Sequence, residues 1–390
     1  MSQSALKPLR RVVTGEDERG RSRILIDGPA PAAHESSLGS GRSHVDLWVW
    51  TASPLPLLRT DDSLIPYDFP GPPVGGHWRV VQWTGHTGPY DASQDSTAEP
   101  LFAPVEHELG RRWDRGGKNQ FTGALHKTET VDYALLLEGE MTLVLDDREL
   151  TLQPGDTVID VAAWHQWSNR NRAGRGIVFS FDMIAARFVD GSAGLVQGLD
   201  EPIRPDPAAQ LPAGVRAARR VVIADREPGR STLVSDGPSP DVRIDPARPG
   251  FAIQRMWVTD GSPAKVVTET LHLPHRLMPP PGGSVFNIVT HPSDAAWWGK
   301  AGAAEVKAYF SAMDAPEACA FAPQAKHPYM QRTRTIDFVI VIEGEIVLVL
   351  DEQEVILKAG DYVVQRATRH AWSNRSDRPA VLAIASHDAA

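Results

Sequence analysis

His126, Thr128, Thr130 and Asp132 share one parity, so on an extended strand their side chains point one way while Lys127, Glu129 and Val131 point the other. His165 follows 33 positions after Asp132, with Trp167 and Asn169 at its own parity. If two hairpins bring the chain back beside the first strand, two imidazoles and a carboxylate converge. These are donor types that hold divalent transition metals. Trp167 would stand next to His165, where its ring could wall a flat substrate. Glu129 could swing in as a further ligand, but its parity favours a solvated position.

The elements that must position these residues are short strands. Tyr133 to Leu137, Met141 to Leu145, Leu150 to Leu152 and Thr157 to Val161 are apolar runs separated by Glu138-Gly139, Asp146-Asp147 and Pro154-Gly155-Asp156. This is the punctuation of an antiparallel meander. The pattern returns from Phe338 to Gln365, and with no helical period between the runs it predicts a sandwich or barrel. Helix is expected only over Asp294 to Met313 and around Pro104 to Trp113.

The chain is an internal duplication. Arg10-Arg11-Val12-Val13 returns as Arg219-Arg220-Val221-Val222, Gly20-Arg21-Ser22 as Gly229-Arg230-Ser231, and Asp27-Gly28-Pro29 as Asp236-Gly237-Pro238. Glu138-Gly139-Glu140 matches Glu343-Gly344-Glu345, and Gly155-Asp156 matches Gly360-Asp361. A period this long repeats a whole domain, not a solenoid unit. The expected division is an N-terminal domain over 10–190, a Gly- and Pro-rich linker over 191–218 and a C-terminal domain over 219–387.

Composition narrows the function classes. The 390 residues are 42% hydrophobic and 23% charged, as expected of a globular protein, and no apolar run reaches the length of a membrane span. A net charge of −9 with no basic stripe argues against nucleic acid as a partner. One cysteine, Cys319, and an N-terminus without an apolar leader core set the expectation of a cytoplasmic protein.

His126-Lys-Thr-Glu-Thr-Val-Asp132-Tyr-Ala-Leu-Leu-Leu-Glu-Gly139 resembles the first cupin motif, in which a His-x-His pair is followed by an acid and then a glycine. Gly155-Asp156 through His165-Gln-Trp-Ser-Asn169 is similar to the second. The resemblance implies an all-β fold of two tandem cupin barrels, each a double-stranded β-helix or jelly roll with minor helices. It also implies a three-ligand metal site at His126, Asp132 and His165. Thr128 takes the place of the usual second histidine, and Asp132 that of the usual Glu. In the second copy the corresponding residues are Gln331, Thr333, Asp337 and His370. An amide oxygen is a weak ligand, so the site at Gln331, Asp337 and His370 is expected to be degenerate, with Asp337 and His370 hydrogen-bonded to each other and the barrel serving structure.

Two imidazoles and a carboxylate on one face of an octahedral ion leave three positions open, the arrangement of non-haem Fe(II) oxygenases. The leading expectation is a metal-dependent oxidoreductase, a dioxygenase acting on a small organic molecule in the first barrel. One divalent ion per chain is expected, with Fe(II) favoured over Zn, Ni or Mn. Asp132 and Trp167 are the residues expected at the chemistry. A redox-neutral isomerase, cyclase or lyase and a non-catalytic small-molecule-binding cupin stay open as alternatives, as does association into a homo-oligomer.

Overall fold

The computed structural model describes residues 7–35, 42–57, 60–65, 71–84, 89–108, 110–170, 176–188, 210–227 and 229–390. Most of the expected linker lies outside the described residues. Among those described, no helix is long and apolar enough to cross a membrane.

The meander forms as expected. Strands Thr130–Glu138, Met141–Val144, Glu149–Leu152 and Thr157–Val161 in the first half have counterparts Thr335–Glu343, Glu345–Leu350, Glu354–Lys358 and Tyr362–Arg366 in the second. Gly139 and Gly344 turn the first hairpin of each meander at φ +87° and +81°. A Cβ at Gly139 would come within 2.6 Å of the Gly176 carbonyl oxygen, so the turn needs glycine there. In each half a large sheet packs on a three-stranded one. Leu136 and Phe179 of the large sheet meet Leu143, Leu152 and Trp167 of the small sheet in one buried cluster, and Val339 and Leu382 meet Leu348, Leu357 and Trp372 in the other. The fold is all-β with the two-layer build of a jelly roll.

The sheets do not follow the repeat boundaries. The hairpin Arg10–Glu16 and Ser22–Pro29 opens the chain but joins the large sheet of the second half, where Arg11, Val12 and Val13 run parallel to Tyr362, Val363 and Val364. Its copy, Arg219–Glu227 and Arg230–Pro238, joins the sheet of the first half beside Thr157–Val161. The clasps are equivalent. Arg10 bonds Asp27 at 2.8 Å and Asp361 at 2.8 Å, while Arg219 bonds Asp236 at 2.7 Å and Asp156 at 2.8 Å. Val12 thereby enters the core of the second half, and Val221 and Ile223 that of the first.

A third cluster lies between the halves. Tyr133 stacks on Phe286 with centroids 5.1 Å apart, and Phe338, at the same place in its strand as Tyr133, stacks on Trp78 at 4.9 Å. His387 Nε2 meets Asp182 Oδ2 at 2.8 Å in the same buried layer. Such aromatic pairs are each worth about 0.5–1.5 kcal/mol beyond their burial.

Two helix expectations are corrected. Residues 294–313 hold a 3-10 turn at Asp294–Ala296 and an α-helix only over Ala303–Ala312, because Gly299 at φ +82° and Gly302 interrupt the run. The described residues among 104–113 form no helix. They span a hairpin between Leu101–Glu106 and Arg112–Gly116, turned by Gly110 and Arg111 at positive φ. Pro104 is tolerated there because its strand is a fully exposed edge, where a missing N–H costs little.

Candidate functional site

The expected continuous strand from His126 to Asp132 breaks at Glu129. His126–Thr128 pairs with Arg112–Gly116, whereas Thr130–Glu138 lies in the large sheet opposite Thr157–Val161. Thr128 Oγ1 and Thr130 Oγ1 bridge the break at 2.7 Å. Glu129 stays outside the site, its Oε1 accepting from the Phe188 amide. The hairpins do return the chain. His126 N donates to His165 O at 3.0 Å, His165 N donates to His126 O at 2.9 Å, and the two rings lie 4.4 Å apart.

Both imidazoles are held in one orientation by the same device. His126 Nδ1 lies 2.9 Å from Ala124 O, and His165 Nδ1 lies 3.0 Å from Ala163 O and 2.8 Å from Asp160 Oδ2. A carbonyl oxygen only accepts, so Nδ1 carries a proton in each ring and Nε2 is the nitrogen that carries the lone pair a metal would take. Burial, together with the neighbouring His165 and Arg112, holds His126 well below the usual imidazole range. Burial would lower His165 too, but the Asp160 carboxylate overrides it and pushes the ring up to about 9. Asp160 was missed in the sequence. It sits directly opposite Asp132 across two strands, a relation that only strand register reveals.

Asp132 is buried, and its Oδ1 has no hydrogen-bond partner. Burial first, and then the charge of Asp160, raise its carboxyl well above the ordinary range. An orphaned buried carboxylate oxygen beside two preoriented imidazoles is a donor set that fits a divalent ion. As they stand, the three donors do not share a sphere: among the described residues, the trio of ligand atoms lying within 4.8 Å of one another is His34, His44 and Asp46, on a sheet edge. Trp167 flanks His165 at 5.3 Å and is packed against Phe179 at 4.7 Å and Phe181 at 5.7 Å, so it forms a wall continuous with the core.

The second half replaces two of these groups with amides. Gln331 stands for His126, and Gln365, opposite Asp337, stands for Asp160. The expected Asp337–His370 hydrogen bond is not formed. His370 Nε2 is 3.1 Å from Gln331 Nε2, its Nδ1 is 2.6 Å from Gln365 Nε2 and 2.9 Å from Thr368 O, and Asp337 Oδ1 is buried without a partner. Gln331 reaches His370 because its backbone pairs with it as His126 does with His165.

This half is also not solid. A cavity of 80 Å³ lies in it, lined by Gln331, Asp337 and Trp372 and by Arg248, Asn287 and His291 from its N-terminal strands and loops. The latter three were missed because they belong to no motif and gather only when Ser284–His291 joins the large sheet.

Residues 318–386 match the family model of the cupin domain, Cupin_2. The chain carries a cupin domain. The matched cupin segment is the one in which Gln331 replaces the first histidine. Phomopsin biosynthesis cluster protein D of Diaporthe leptostromiformis is 58% identical over 48 residues, which are 12% of this chain and 25% of that protein. Cupin-domain-containing oxidoreductase virC of Hypocrea virens is 49% identical over 55 residues, 14% of this chain and 28% of that protein. The chain thus spans about a quarter of the length of these curated relatives. Among solved structures it is similar to quercetin 2,3-dioxygenase from Acinetobacter baumannii, with 10% identity, coverage of 91% and 83% of the two chains and a TM-score of 0.35. It is also similar to the pirin YhhW of Escherichia coli in complex with nickel(II), with 7% identity, 93% and 97% coverage and a TM-score of 0.36.

Proposed function

We propose that the protein is a metal-dependent oxidoreductase acting on a small organic molecule, with His126, His165 and Asp132 of the first half holding the ion. The observation that carries this reading is the pair of imidazoles tethered through Nδ1, which puts the ring lone pair on Nε2, beside the orphaned Asp132 oxygen. Relatives named as cupin-domain-containing oxidoreductases support the reaction class. The specific form proposed is a dioxygenase with Fe(II).

When bound, the ion would supply open coordination positions for dioxygen or a substrate oxygen. The chain's own residues do the rest. Backbone carbonyls of Ala124 and Ala163 fix the two rings, and Asp160 holds the His165 Nδ1 proton, which raises the basicity of the ligating nitrogen. Asp132 supplies the negative charge that offsets part of the ion's. Trp167, Phe179 and Phe181 keep water from one side of His165 and present an aromatic wall to a substrate.

The test is elemental analysis of protein purified without chelator, followed by oxygen-electrode and anaerobic assays on candidate substrates. Iron with oxygen uptake stoichiometric with product is expected. Full turnover without oxygen would move the protein to the isomerase, cyclase or lyase class. A metal content unchanged by His126→Ala with His165→Ala would sink the site.

A further inference from the structure

The cavity of the second half has walls that no metal reading uses. Arg248 is buried there with its guanidinium 3.7 Å from the ring centroid of Phe251 and 3.7 Å from that of Tyr329. Asp245 Oδ2 takes its Nε at 2.7 Å, but Nη2 has no hydrogen-bond partner. Three other atoms on the cavity wall are buried and equally unpartnered: His291 Nε2, Asn287 Oδ1 and Asp337 Oδ1. Asn287 and His291 lie four residues apart on one strand and so face the same side.

Buried polar atoms are normally paired, and leaving one unmade costs about 1–3 kcal/mol. Four such atoms around one cavity therefore describe a binding partner by its complement. A guanidinium N–H with its flat face already stacked asks for a carboxylate oxygen, its preferred planar acceptor. Asn287 Oδ1 can only accept, and therefore asks for a hydroxyl or amine donor. Size sets the rest. The 80 Å³ volume is roughly half the ~150 Å³ that accommodates benzene.

We propose that the second half binds a small hydroxycarboxylate of two or three carbons without a metal, its carboxylate on Arg248 Nη2 and its hydroxyl donating to Asn287 Oδ1. Replacement of His126 and Asp160 by Gln331 and Gln365 is what frees this half for an organic ligand. Gln331 ties up His370 Nε2 and so keeps the nitrogen from an ion. This site is independent of the metal reading of the first half.

Isothermal titration of the full chain with lactate, lactamide and propionate tests it. Lactate should bind one per chain. Lactamide, which lacks the charge, and propionate, which lacks the hydroxyl, should each bind at least tenfold more weakly. Arg248→Met should weaken lactate at least tenfold. Because that variant also strips Asp245 of its partner, Asn287→Val serves as the second probe: it should erase the preference of lactate over propionate in a protein of unchanged circular dichroism. Hydroxy acids also chelate metals, so the titration is repeated on His126→Ala and on EDTA-treated protein, where lactate binding should persist unchanged. Absence of lactate binding, equal binding of lactamide, binding untouched by both Arg248→Met and Asn287→Val, or binding lost with the metal would each overturn the proposal.

Discussion

Gln331 Nε2 lies 3.1 Å from His370 Nε2, so the amide that replaces the first histidine of the second half also covers the ring nitrogen of the last one. His126 and His165 share the same backbone pairing, and in both rings Nδ1 is turned to a backbone carbonyl. Pure protein should therefore carry at most about one transition-metal ion per chain. Gln331→His alone should add little, whereas Gln331→His with Gln365→Asp, which restores both the ligand and the carboxylate behind His370, should raise the content toward two. Elemental analysis of both variants decides, and a full second equivalent in the single variant would contradict the role given to Gln365.

Asp160 and Asp132 should be separable by their effects. Asp160→Asn keeps the hydrogen bond to His165 Nδ1 in shape but removes its charge, and metal affinity should fall about 10–100-fold, as for other partners behind a ligand. Asp132→Asn should weaken metal binding or turnover at least tenfold, about 1.4 kcal/mol. Asp337→Asn should leave the metal content unchanged. Competition with a chromophoric chelator measures all three.

Lys127 Nζ and Asp225 Oδ2 meet at 2.7 Å with both side chains almost wholly buried, and they tie the first half to the hairpin contributed by the second copy. Asp225→Asn should cost about 3–5 kcal/mol, because it removes the carboxylate from a buried ion pair. Lys127→Met with Asp225→Leu should recover most of that loss. Urea unfolding of the two variants and the parent protein reads the difference, and equal destabilisation by the single and double replacements would mean that packing, not charge, sets the cost.

Acid should loosen the two exchanged hairpins before the cores. Hydrogen bonding to Arg10 holds the Asp27 carboxyl below its usual range, and Arg219 does the same for Asp236. A carboxylate with a depressed folded pKa contributes stability that is fully present above its unfolded value near 3.8 and is lost as pH falls through the folded value. Amide exchange in Arg10–Pro29 and Arg219–Pro238 should therefore accelerate, relative to Thr130–Glu138, as pH drops below about 4. Because both carboxylates are partly exposed, added salt should reduce the effect. Uniform acceleration across all strands would refute this.

The residue pattern alone determined the duplication, the meander and the donors. Tyr133 to Val161 is a series of short apolar runs broken by turn residues, and the parity of His126 with Asp132 and of His165 with Trp167 is a property of extended chain. Tertiary structure decided what depends on pairing between distant strands. Arg10–Pro29 reads as the opening of the first domain, yet either large sheet offers it an equivalent parallel edge, and the clasp residues are the same in both copies, so sequence could not choose between them. Asp160 became a partner of His165 only through the register that sets it opposite Asp132, and Gln331 became a partner of His370 only because their backbones pair across 39 positions. The cavity of the second half follows the same logic: Arg248, Asn287 and His291 are ordinary loop and strand residues until folding brings their unpaired atoms around one void, a property of volume that no one-dimensional pattern encodes.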